Sequence, residues 1–200
     1  MKVRSKKKEE EIPEIVCIID KSGSMSGIKN DAIGGFNSFL EEQKKIDGKA
    51  NMTIVFFSGD YHLSSNGEDL HSIEPLTDKT YIPGGVTALL DAIGKTLEIL
   101  DYRKVKKALI AILTDGEENA STDFTRDKIF RMISDRKERG FQFAFLAANQ
   151  DAIQSGTSIS IPKPWIYTWE STPKGTIEAY NIFSSCSTNY RTGGANDSKA

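Results

Sequence analysis

The sequence predicts an α/β fold: a doubly wound, mostly parallel central sheet with helices on both faces and one antiparallel edge hairpin. Two observations predict it. Short apolar runs alternate with helical patterns along the whole 200-residue chain, and such alternation gives a mostly parallel sheet covered on both sides. The runs are continuously apolar, as strands buried on both faces require. No internal repeat or long linker interrupts the pattern, which argues for one domain.

Each element follows in order. Glu14–Ile19 is the first strand. Ile28–Lys45 carries Ile28, Ala32, Ile33, Phe36, Phe39 and Leu40 at helical spacing. Gly34-Gly35 weakens that helix and suits a close approach to the sheet. Met52–Phe57 is the second strand. Ser65-Asn66-Gly67 is a turn signal, so Tyr61–Ser64 and Asp69–Ile73 read as the arms of a hairpin near the sheet edge. Thr87–Leu100 is amphipathic, with Leu89, Leu90, Ile93, Leu97 and Leu100 inward. Ala108–Leu113 is the next buried strand, and Asp127–Arg139 a helix ending at Gly140. Phe141–Ala147 is a strand with alternating aromatics, and Gln150–Gly156 a short helix. Trp165–Trp169, flanked by Pro162 and Pro164, suits a sheet edge and packs under a closing helix, Lys174–Ser184.

Residues 1–11 read as a charged, flexible arm, 12–190 as the domain and 191–200 as a disordered tail. In the arm, the Lys6–Lys8 and Glu9–Glu11 blocks cancel. A formal charge of −2 gives no general pull towards nucleic acid or anionic membranes. The first residues have no apolar segment of the secretory type, and no stretch has the length of a membrane span, so a soluble, cytoplasmic domain is expected. Cys17, inside an apolar strand, reads as a small core residue.

The chemistry gathers after two strands. Asp20, Ser22 and Ser24 follow the first strand on alternate residues; Gly84-Gly85-Val86-Thr87 opens a helix with another hydroxyl; Thr114-Asp115-Gly116 ends the 108–113 strand. Taken singly, these residues could cap the helices that follow them. As a set they offer only hard oxygen donors, which suit Mg2+ and not zinc or copper. The order D-x-S-x-S, then T, then D resembles the metal-ion-dependent adhesion site of von Willebrand factor A domains, and the likeness extends from about Ile12 to about Tyr190.

That resemblance implies a Rossmann-like sheet in which the strands ending at Asp20 and Asp115 are neighbours. Ser22, Ser24 and Thr87 would offer hydroxyls to Mg2+, while Asp20 and Asp115 would act mostly through bound waters. Mn2+ or Ca2+ would be served by the same oxygens. The implied function is a metal-dependent protein-interaction domain, in an intracellular assembly, whose cation accepts a Glu or Asp carboxylate from the partner. Gly23 and Gly116 fit close turns around the ion. Asp91 either supports the loop by hydrogen bonds or favours the helix start, and Glu117 and Glu118 either tune the site or are simply solvated.

The alternative is a phosphatase-like, metal-dependent hydrolase using the same loops. An aspartyl nucleophile would need a second acid where Ser22 stands, and Gly23-Ser24-Met25-Ser26-Gly27 puts Met25 where a nucleophile elbow needs serine. His62 and His71 fall in the predicted hairpin, away from the metal loops. A non-enzymatic domain is therefore expected.

Overall fold

The computed structural model describes residues 12–148 and 151–193. Six strands form one sheet: β1 (Glu14–Asp20), β2 (Asn51–Phe57), β3 (Tyr61–Asp69), β4 (Leu109–Thr114), β5 (Gln142–Ala148) and β6 (Ile166–Trp169). Their order across the sheet is β3-β2-β1-β4-β5-β6. All neighbours pair in parallel except β2 and β3. The helices are α1 (Lys29–Lys45), α2 (Leu89–Tyr102), α3 (Arg126–Glu138), α4 (Ala152–Ser158) and α5 (Pro173–Thr192). The expected fold class is the one observed. Among the described residues, no helix is long and apolar enough to cross a membrane. Residues 1–11 and most of the predicted tail lie outside the described residues.

The two-residue period of the strands divides the core into two layers. Ile15, Cys17 and Ile19 of β1 join Leu109, Ala111 and Leu113 of β4 beneath α1 and α5. Val16 and Ile18 join Ile110 and Ile112 beneath α2 and α3 on the other face. The aromatics Phe141, Phe143 and Phe145 all serve the second layer. Cys17 and Cys186 are buried free thiols, and burial pushes the Cys17 thiol far above its ordinary range.

Three local features differ from expectation. The antiparallel edge is present, but the turn joins β2 to β3 through Ser58–Asp60, closed by Ser58 N–H donating to the Asp60 carbonyl at 3.0 Å. Asn66-Gly67 is not a turn: it lies inside β3, beside a register shift. The reason is tertiary. Arg103, just past α2, crosses Gly67 (φ 71°), where a Cβ would meet its guanidinium. The same guanidinium grips Glu14 through two bonds of 2.7 and 2.9 Å.

Gly35 makes its close approach to Tyr180 of α5, which a Cβ would strike at 2.3 Å, rather than to the sheet. Finally, α5 outlasts the Lys174–Ser184 pattern because Arg191 reaches α1. Its guanidinium donates to the carbonyls of Gln43, Ile46 (3.0 Å) and Gly48 (3.1 Å), which end or follow that helix. The aromatic stack of Phe39 on Phe183, 4.2 Å between centroids, holds the same pair of helices together.

Glu14 is 3% exposed and also accepts a 2.6 Å bond from the Thr53 hydroxyl. Arg103→Ala therefore leaves a buried carboxylate without its cation, and should lower the unfolding free energy by about 3 kcal/mol. Urea denaturation measures this; a loss near zero would show that water replaces the guanidinium without penalty.

Candidate metal centre

Parallel pairing sets Ile19 of β1 opposite Leu113 of β4, so Asp20 comes level with Thr114 at the carboxyl end of the sheet. Thr114 Oγ1 donates to Asp20 Oδ2 at 2.6 Å, and the Ser22 N–H donates to Asp20 Oδ1, also at 2.6 Å. The Asp20 side chain has no exposure. Burial pushes its carboxyl from an ordinary 3.8 up to about 6; the bonds from Thr114 and Ser22 oppose that rise, and the nearby Asp115 adds to it.

The hydroxyls meet just above. Ser22 Oγ lies 3.1 Å from Ser24 Oγ, and Ser24 Oγ donates to Asp115 Oδ1 at 2.5 Å across 91 residues of sequence. Ser171, in the loop after β6, donates to the other Asp115 oxygen at 3.2 Å. Thr87 arrives from the third side. A methyl group on Gly116 would stand 2.8 Å from Thr87 Oγ1 and 3.6 Å from Asp20 Oδ2, so the missing side chain leaves the space in which these oxygens converge.

All five predicted residues thus lie at one end of the sheet. Asp20, Ser22, Ser24 and Asp115 are linked by hydrogen bonds, and Thr87 sits beside them. None acts as a cap: Ser22 makes no side-chain bond to the short 3-10 turn it precedes, and α2 begins at Leu89 with Ala88, not Thr87, at its N-cap. A buried carboxylate with a raised pKa, converging hydroxyls and a cradle kept open by glycine fit a hard divalent cation. Among the described residues no three His, Cys, Asp or Glu side chains are grouped so that they could hold a metal ion; the donors gathered here are three hydroxyls and two carboxylates.

Several supporting residues escaped the sequence reading. Tyr81 donates from its hydroxyl to the Asp20 carbonyl at 2.6 Å. Asn119 and Thr87 exchange two bonds, each of 3.0 Å. Thr114 is adjacent to Asp115 in the motif itself, but Tyr81, Asn119 and Ser171 lie in loops with no local pattern that marks them. Asp91 proves to be a loop support: its carboxylate accepts the N–H groups of Thr122, Asp123 and Phe124. Glu118 does likewise, taking the N–H groups of Leu90, Ala120 and Ser121. His62, on β3, stacks over Phe56 of β2, and His71 lies in the turn after β3.

A carboxyl whose folded-state pKa lies above its unfolded one costs stability above the higher value, and that cost fades as pH falls through the interval. Asp20→Asn should therefore raise the unfolding free energy of the metal-free domain by roughly 1–3 kcal/mol at pH 7. The gain should shrink between pH 6 and 4. Thr114 can turn its proton to the Gly116 carbonyl, 3.0 Å away, and accept from the new amide. Thermal unfolding at several pH values checks this, and a destabilised Asn variant would contradict it.

No family model matches the chain, and no curated protein matches it in sequence. Solved structures do match its fold. Proximal thread matrix protein 1 of the mussel byssus, in a form with a zinc-occupied MIDAS motif, superposes with a TM-score of 0.63 at 15% identity, over 88% of this chain and 46% of its own. This chain thus spans under half the length of that mussel protein. The VWA domain of SpRpn10 gives 0.60 at 10% identity, over 86% of this chain and 95% of its own. Manganese-loaded TRAP protein of Plasmodium vivax gives 0.57 at 14% identity, over 87% and 74%. At such identities the likeness speaks for the fold alone. The chain has the fold of a VWA domain, with a cluster of hard oxygen donors at the carboxyl end of its sheet.

Proposed function

We propose that Asp20, Ser22, Ser24, Thr87 and Asp115 form a complete metal-ion-dependent adhesion site, and that the domain is a protein-interaction module rather than an enzyme. The observation that carries this reading is the 2.5 Å bond from Ser24 to Asp115, which joins the loops after β1 and β4. Mg2+ is the cation best matched by this donor set, and Mn2+ or Ca2+ could take its place.

In this reading Ser22, Ser24 and Thr87 present hydroxyl oxygens, and Asp20 and Asp115 orient water and balance charge. The bound cation supplies a Lewis-acidic position that a Glu or Asp carboxylate of a partner protein completes. The chain does the rest. Thr114 and the Ser22 amide hold Asp20, Ser171 holds Asp115, and Gly116 leaves the cradle open. The zinc-occupied MIDAS motif of the mussel protein favours a divalent ion at such a site, although zinc there runs against its exclusion on donor hardness alone; the TRAP protein is manganese-loaded.

A phosphatase-like hydrolase has less support. Ser22 stands where a second acid would be needed, and both histidines lie at the β3 edge, two strands away from β1.

Titration calorimetry with Mg2+ and Mn2+ tests the site. Saturable heat should appear with the native chain and vanish in Asp20→Ala; equal heats in both would sink the assignment. Gly116→Ala, which crowds Thr87 Oγ1, should weaken Mn2+ binding about tenfold or more with little change in fold, a difference of about 1.4 kcal/mol.

A further inference from the structure

We propose that the rim beside this site docks a partner segment whose acidic residue is flanked by aliphatic or aromatic side chains. The inference rests on the metal reading above and names the chemistry of the partner. It starts from the segment that enters α2. Three tethers hold that segment against the first metal loop. Tyr81 donates to the Asp20 carbonyl at 2.6 Å, the Gly84 N–H donates to the Lys21 carbonyl at 2.8 Å, and the Gly23 N–H donates to the Gly85 carbonyl at 3.0 Å.

Two residues of this tethered segment are buried, Tyr81 at 1% exposure and Thr87 at 3%, yet Ile82 is 63% and Val86 51% exposed. One exposed aliphatic residue is ordinary on any protein surface. A pair on backbone tied to the metal loop is different, because the bonds that position Thr87 also hold these side chains outward. Tyr81 takes the inward position of this segment, packed on Phe56 with ring centroids 5.7 Å apart.

The cluster itself opens at the same face. Ser24 is exposed and Asp115 half-buried, whereas Asp20, Ser22 and Thr87 are enclosed. A ligand carboxylate must therefore come in over Ser24 and Asp115, with Ile82 and Val86 alongside its path. Ile177, on α5 and six residues past the Ser171 that holds Asp115, is also 50% exposed. Glu117 is exposed one residue past Gly116, and its charge disfavours a second acid in the ligand. A single carboxylate between apolar neighbours suits these exposed residues; a polyacidic tract does not.

Two short synthetic peptides of Ser and Gly, each with one central Glu, test this. One carries Leu and Phe beside the Glu, the other Ser. Binding is followed by chemical-shift changes in the labelled chain with saturating Mg2+, and Mg2+ binding alone is followed by calorimetry. The apolar peptide should bind about tenfold tighter. The preference should disappear in the double variant Ile82→Ser/Val86→Ser, while its Mg2+ heat stays native. Equal binding of the two peptides, or an unchanged preference in the variant, overturns the proposal with the metal reading intact. Absence of Mg2+ heat in the native chain overturns the metal reading instead. The rim assignment then stands if the apolar peptide is still preferred in EDTA, and falls if it is not.

Discussion

Parallel pairing of β1 with β4 is the constraint from which the rest of this molecule follows. It brings together strands that lie far apart in sequence, with Ile19 beside Leu113. Asp20 then has the Thr114 hydroxyl within 2.6 Å. The order in which strands are added reverses around this pair, since β2 and β3 extend the sheet one way and β5 and β6 the other. Loops at such a switch point part to opposite faces and leave a crevice between them. The oxygen cluster occupies that crevice. Both strands are buried on both faces, so a one-residue slip would exchange the side chains of the two core layers and mispack both.

Burial at the crevice is also its electrostatic character. A fully enclosed Asp20 with a pKa near 6 is an expensive group to keep charged. The surrounding loops compensate by being over-determined. Asp91 holds residues 122–124 and Glu118 holds the start of α2, while Asn119 clasps Thr87. These bonds interlock the loop before α2 with the loop after β4, and each is made entirely by protein atoms. The hydroxyls are therefore held close to one another by the fold itself, which is what preorganisation of a site requires.

Much of this was legible along the chain. Strand and helix periods located nearly every element, because two-sided burial demands continuous apolar runs and amphipathic helices demand their own spacing. The five oxygen-bearing residues were legible because they stand near the ends of strands and the start of a helical pattern, in an order that resembles a known metal motif. The misses share one cause. Asn66-Gly67 has the local chemistry of a turn, yet Arg103, bound to Glu14, lies over Gly67 within a continuous strand. The last turns of α5 are mostly polar in sequence, yet Arg191 docks them on the carbonyl end of α1, 143 residues away at Gly48. Gly35 admits a helix rather than the sheet, because the aromatic residue above it is Tyr180.

By itself, then, the sequence determined the layers, the parallel sheet and the list of hard oxygen donors, since burial periodicity and donor chemistry are properties of residue types. Only the tertiary structure decided which donors touch. The contact of Ser24 with Asp115 is set by strand register, and the nearness of Thr87 to Asp20 by the methyl group that Gly116 lacks. It also decided which residues support the site: Tyr81, Asn119 and Ser171 do so through hydrogen bonds to its members. Such bonds depend on distances between remote backbone segments, and no local pattern of residues encodes those distances.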